Sequence, residues 1–245
     1  MGIRKEIIMP GSILKPGALQ DQVIDFIVEL PIAQNATYIS SATDGGGAGS
    51  FSVTAAVGGT EVFRSAAGKK PLPGYARNVI LTKTDAAGTD LRMTVTVQGF
   101  RLGRFQQEDI DLNAASASQI VSSVKCYDEI SRIFIKSILA AAASDTLGVG
   151  VGGSTANLGF IGLPCDISSK DAIRSVLKIA AGTPDATGPK INSDITDAMV
   201  MTEKFGSAID LATLYGANIA VTDRYLVKVI SNGFMDYIPR NGILY

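Results

Sequence analysis

The chain contains no histidine and no tryptophan, and only two of its 245 residues are cysteine. Without histidine there is no imidazole base near neutral pH, no nitrogen ligand for zinc and no histidine-dependent triad. That weighs against an enzyme and leaves paired carboxylates or a Ser-Lys nucleophile as the open chemistries. Cys126 and Cys165 form neither a short metal-binding spacing nor a disulfide framework, and they read as ordinary buried thiols. Charge is scarce too: 18% of residues are Asp, Glu, Lys or Arg, below the usual fraction of about a quarter. The 22 basic and 23 acidic residues sum to −1, which gives no electrostatic reason to expect nucleic acid or an anionic membrane as partner. The most apolar run, Ile133 to Ala143, is broken by Lys136 and stopped by Asp145, short of the roughly 20 residues a membrane helix requires. Met1 to Pro10 lacks the long apolar core of a secretory signal, and Glu6 stands where a myristoylation site has Ser or Thr. The expectation is a soluble chain made in the cytoplasm, whose partner is a protein surface.

What the chain does have is alternation. In Asp90 to Gln98, Leu91, Met93, Val95 and Val97 fall on one side while Arg92, Thr94, Thr96 and Gln98 fall on the other, a strand with one dry and one wet face. The β-patterned run Arg77 to Lys83 precedes it across Thr84-Asp85-Ala86-Ala87-Gly88-Thr89, so the two read as an antiparallel hairpin. Further strands are expected at Val23 to Leu30, Ala36 to Ser40, Phe51 to Val57, Glu61 to Arg64, Arg104 to Leu112 and Asp145 to Gly153, and within 172–180, 198–202 and 218–230. Ser118 to Ala143 fits both a helical and a strand period, and reads as a loop or short helix near 114–123 followed by strand. The fold class expected is all-β, an antiparallel β-sandwich or jelly roll. Residues 1–22, punctuated by Pro10-Gly11 and Pro16-Gly17, form an extended apolar arm; residues 23–245 form the body, with a possible subdivision near 153–170.

The candidate sites are few. Asp109, Asp111 and Asn113 alternate along one expected strand face and offer oxygen ligands to calcium. A helical calcium loop fails, because Ala114 stands where its glycine belongs and Ile120 where its bidentate glutamate belongs. The ordinary reading is a solvated face that blunts a sheet edge. Gly148 to Gly153 is glycine-rich but opens no evident helix, and Gly182 to Lys190 lacks the ending of a phosphate loop; both read as turns or bulges, and no cofactor is expected. Asn35-Ala36-Thr37 matches a glycosylation acceptor by chance. Tyr215, Tyr225, Phe234, Tyr237 and Tyr245 concentrate late in the chain as core or as a partner patch.

The run from Arg77 to Gln98, with Asp145 to Gly150 leading to Leu158-Gly159-Phe160-Ile161-Gly162-Leu163-Pro164, resembles structural proteins of tailed bacteriophage virions. The likeness covers roughly residues 75–165 through loose patterns. It implies a non-enzymatic capsid decoration or cement protein on the virion surface, often a homotrimer, whose partners are its own copies and the major capsid protein. It transfers no catalytic residue. A tail, neck or head-completion component is the second structural reading, and a carboxylate-based glycan hydrolase or a glycan-binding β-sandwich the alternative outside that class.

Overall fold

Short alternating segments separated by Gly, Asp and Pro turns form strands and almost nothing else. The computed structural model describes residues 22–29, 38–39, 50–68, 70–72, 76–115, 118–152, 159–163, 165, 167–180, 182–202, 207–216 and 222–231. In chain order the strands are β1 (Gln22–Glu29), β2 (Phe51–Ser52), β3 (Glu61–Arg64), β4 (Lys70–Pro71), β5 (Arg77–Thr84), β6 (Arg92–Arg101), β7 (Arg104–Leu112), β8 (Ser118–Tyr127) and β9 (Glu129–Leu139). They continue as β10 (Thr146–Val151), β11 (Phe160–Gly162), β12 (Ile173–Ala180), β13 (Thr183–Pro184), β14 (Lys190–Ile191), β15 (Val200–Met201), β16 (Ala208–Asp210) and β17 (Arg224–Ser231). One α-helix, α1 (Leu211–Tyr215), is described. Its first turn is capped by the Asp210 carboxylate, which accepts from the Thr213 amide at 3.0 Å, and it ends at Gly216 with φ 65°.

Among the described residues every strand pairing is antiparallel, in three sheets. The first runs β1-β17-β12-β13 with β14 also on β12; the second runs β15-β16-β11-β5-β10-β2 with β8 on the opposite edge of β5; the third runs β3-β9-β6-β7 with β4 on β9. The fold is all-β, as the alternation predicts. One core fills the space between the second and third sheets, where Val79, Leu81, Leu147 and Val149 meet Met93, Val95, Val97, Ile110, Ile133 and Ile135. Burying each such side chain contributes about 1.5–3 kcal/mol. Another core joins the β11-β16 end of the second sheet and α1 to the first sheet, through Ile161, Leu163, Ile209, Leu211, Val176, Tyr225, Val227 and Val229.

The expected hairpin is not a hairpin. β5 and β6 are both strands, but β5 belongs to the second sheet and β6 to the third, facing each other across the first core. The connection between them is a sheet-crossing arch organised by buried carboxylates. Asp85 accepts from the amides of Thr89 and Leu91, and Asp145 from those of Ala87 and Ala142. Lys83, buried, closes the arch by donating to the carbonyls of Leu91 and Ala114 at 2.7 and 2.6 Å. The true hairpin on β6 is with β7, where Leu102 at φ 50° and Gly103 at φ 75° make a two-residue turn between Arg101 and Arg104. Three other expectations change. Residues 118–123 are strand, not loop or helix; only Phe51–Ser52 of the run to Val57 is strand; and Tyr38 and Ile39 lie in a bend. Residues 1–21, Asn35 and the aromatic residues after Ser231 lie outside the described residues.

A polar seam joins the two cores. Arg101, at the end of β6, donates to both oxygens of Asp128 at 3.0 and 3.1 Å and to the Leu163 carbonyl beyond β11. Asn78 Oδ1 accepts from the Phe160 amide, Ala76 accepts from the Gly162 amide, and Arg77 donates to the Gly152 carbonyl. Gly162 has no room for a side chain, since a Cβ there would lie 2.6 Å from that of Ala76. A small apolar cluster of Ala76, Cys126, Phe160 and Ala208 fills the rest. Replacing Arg101 by Met removes the ion pair to partly buried Asp128, which keeps only the neutral Leu102 amide among the bonds described here, and takes the guanidinium donor from the buried Leu163 carbonyl. Arg101→Met should lower the unfolding free energy by about 3 kcal/mol in urea titrations, and a loss no larger than that of an exposed Arg104→Met control would refute the seam's role.

Candidate functional site

Because Met93, Val95 and Val97 point into the core, the intervening residues of β6 point outward. The register sets Thr94 opposite Asp111, Thr96 opposite Asp109, Gln98 opposite Gln107 and Phe100 opposite Phe105. Each pair is chemically matched. The two threonine hydroxyls donate to their aspartates at 2.6 Å, the Gln98 amide donates to Gln107 at 2.8 Å, and the two phenyl rings meet edge to face at 5.8 Å.

The other flank of β6 is β9, whose pairing with it shifts register at two places. Bulges of this kind re-aim side chains. Lys136, at one of them, forms an ion pair with Asp109. Arg132 donates to Glu61 at 2.8 Å, Glu61 also pairs with Arg64 at 2.6 Å, and the Arg132 guanidinium lies 4.6 Å from the centre of the Phe134 ring. Beneath this layer Thr96 is only 1% exposed. At one end of the face an open groove of about 390 Å³ is lined by Arg92, Thr94, Asn113, Ser137 and Leu139. Leu139 and Phe105 are 65% and 56% exposed, and Val124 on β8 is 53% exposed.

The structure places the calcium candidates plainly. Asp109 and Asp111 share the outer face as alternation requires, and Asn113 lines the groove. The oxygens of Asp109 already accept from Thr96 and from the Lys136 ammonium, and one oxygen of Asp111 accepts from Thr94. Among the described residues, no group of three His, Cys, Asp or Glu could hold a metal ion. The hydrogen bond from Lys136, then that from Thr96, holds the Asp109 carboxyl below its ordinary pKa. A general acid for glycan cleavage needs a raised one. The hydrogen bond from Arg64 likewise leads in lowering Glu61.

The remaining motifs are structural. Gly148 and Gly150 lie inside β10, between β5 and β2, and not at a strand-to-helix turn. Thr183–Pro184 and Lys190–Ile191 are short strands on β12. Cys126 and Cys165 are buried thiols, and burial pushes the Cys126 thiol up to about 12. Tyr215 and Tyr225 pack at 5.4 Å at the second core, where the Tyr215 hydroxyl donates to the Val176 carbonyl and Tyr225 donates to Asp223. Sequence reasoning found the β6 half of the outer face and missed Glu61, Arg132 and Lys136, because the bulges of β9 break its alternation. It also missed Arg77, wholly buried, whose pKa burial lowers to about 10. The Nε and Nη2 of Arg77, the Tyr127 hydroxyl and Oε1 of Gln106 have no hydrogen-bond partner among the described residues.

No family model, no curated protein and no solved structure matches this chain.

The pKa directions fix a pH profile. Asp85, held down chiefly by the Leu91 amide, and Glu61 and Asp109, held down by basic side chains, all have folded values below their unfolded ones. Their stabilisation is full above the unfolded pKa of about 4 and is lost as pH falls through the folded values. With no histidine in the chain, the thermal midpoint should stay level from about pH 5 to 8 and drop below about pH 4. A calorimetric midpoint that moved steadily between pH 5 and 8 would contradict this.

Proposed function

We propose that the protein is a non-enzymatic structural component of a tailed-bacteriophage virion, a capsid decoration or cement protein that bridges and stabilises capsid subunits. The observation that carries the reading is the outer face of the third sheet. Its donors and acceptors are paired in register with one another, and exposed Phe105 and Leu139 stand at its ends. A face already ordered loses little further side-chain freedom when it docks, so modest apolar contacts suffice. The near-zero net charge suits close packing among many copies, where long-range repulsion would work against assembly. Cement action is mechanical: each copy contributes a weak interface, and the interfaces sum through multivalency against internal genome pressure. No step of it needs a general base, a metal or a cofactor.

Co-sedimentation of the purified protein with empty phage capsids tests the reading. The wild type should pellet with particles, and the Phe105→Asp/Leu139→Asp variant should bind at least tenfold more weakly while keeping its thermal midpoint. Protein that stays in the supernatant at every capsid concentration would refute it. Rings or tubes in electron micrographs of the protein alone would place it in the tail or neck, and specific retention on a glycan array would favour a sugar-binding sandwich.

A further inference from the structure

A charge taken out of water is tolerated when it is paired or fully hydrogen-bonded, and is costly otherwise. The buried cations of this protein meet that rule with one exception. Arg101 faces Asp128, and Lys83 directs its ammonium to the carbonyls of Leu91 and Ala114. Arg77 is the exception. It is the largest of the wholly buried side chains, yet its one hydrogen bond runs from Nη1 to the Gly152 carbonyl at 2.9 Å. Its Nε and Nη2 have no hydrogen-bond partner among the described residues, and no carboxylate among them forms an ion pair with it. Burial lowers its pKa to about 10, which still leaves it a cation at neutral pH.

The register of β5 places this cation where the two cores meet. Arg77 stands directly opposite Tyr127 of β8 on one flank and Ile161 of β11 on the other, and directly opposed residues share a face. Tyr127 belongs to the first core and Ile161 to the second. The Tyr127 hydroxyl and Oε1 of Gln106 are also buried without a partner among the described residues, and Gln106 is tied to the chain beside Tyr127 by its bond to the Cys126 carbonyl at 2.6 Å. Unmet donors therefore exceed unmet acceptors: two guanidinium nitrogens and a hydroxyl stand against one amide oxygen.

We propose that Arg77 binds a small monovalent anion of the halide class at the junction of the two cores. The charge balance selects the ligand. A neutral water could satisfy the hydrogen bonds but would leave the guanidinium unopposed, and a divalent oxyanion would leave an excess negative charge in the same interior. Close packing of a protein core favours an ion of atomic size over a carboxylate on a larger molecule. The Tyr127 hydroxyl, on the same face, is a further donor available to it. Bound there, the anion would link the cores beside the bonds of Arg101 and Asn78. The inference goes beyond the virion reading and does not depend on it.

Thermal unfolding of the full chain in sodium chloride tests it, with sodium gluconate holding the ionic strength constant. An ion that binds only the folded state raises the midpoint, by about 5 °C for about a hundredfold increase in chloride above its dissociation constant. The wild type should show this rise, and Arg77→Met should not. Crystals of the wild type grown in sodium bromide give a second readout that needs no variant to fold: an anomalous peak should lie within hydrogen-bond distance of Nε or Nη2 of Arg77. A wild-type midpoint indifferent to chloride, an equal rise in Arg77→Met, or bromide found at surface side chains alone, as adventitious ions only, would overturn the inference.

Discussion

The guanidinium of Arg101 is where the two halves of this molecule become one. It reaches from the end of β6, in the third sheet, to Asp128 beside it and to the Leu163 carbonyl on the far side of the seam. A buried cation of this kind is costly unless it is paired, so its position constrains its surroundings. Gly162 must lack a side chain to let β11 approach, and Asp128 must also cap the β6-β7 turn by accepting from the Leu102 amide at 2.6 Å. Asn78 adds a further bond across the same line by accepting from the Phe160 amide. The second sheet contributes to both cores along this line.

The seam gives the surfaces their meaning. The outer face of the third sheet belongs to the first core, and strands β12 and β17 of the first sheet belong to the second. On the proposed reading, load between neighbours would pass through the polar line at Arg101. Such a seam also specifies geometry, since directional bonds hold one arrangement where an apolar contact would allow several. The lack of histidine fits a body whose interactions do not change across the neutral pH range.

Local pattern was a good guide wherever structure is local. The alternation of Leu91 to Gln98 marks the dry and wet faces of β6, and the bounds of β7 follow directly from Arg104 to Leu112. It failed where partners are distant. The Asp85 to Gly88 turn signal is real, but whether it folds a strand back on its neighbour or sends it to the opposite sheet depends on Asp145 and Ala114, far along the chain. The β6-β7 turn carries a weak signal in the sequence because Leu102 occupies a left-handed position that usually takes Asn, Asp or Gly. β8 looked partly helical because its register against β5 shifts between Asn78 and Ile80, where the Ser123 hydroxyl accepts from the Val79 amide in place of a main-chain carbonyl. Of the candidate site, Thr94, Thr96, Asp109 and Asp111 were visible as alternating polar residues. Lys136 and Arg132 were not, since only long-range pairing brings β9 beside β6.

Native-state hydrogen exchange measures the seam directly. The amides of Phe160 and Gly162, which donate across it to Asn78 and Ala76, should open with the same free energy as the central amides of Val95 and Val97 in β6, as one cooperative unit requires. If the Phe160 and Gly162 amides exchange through an opening several kcal/mol cheaper than that of β6, the two cores open as separate bodies and the seam does not make them one.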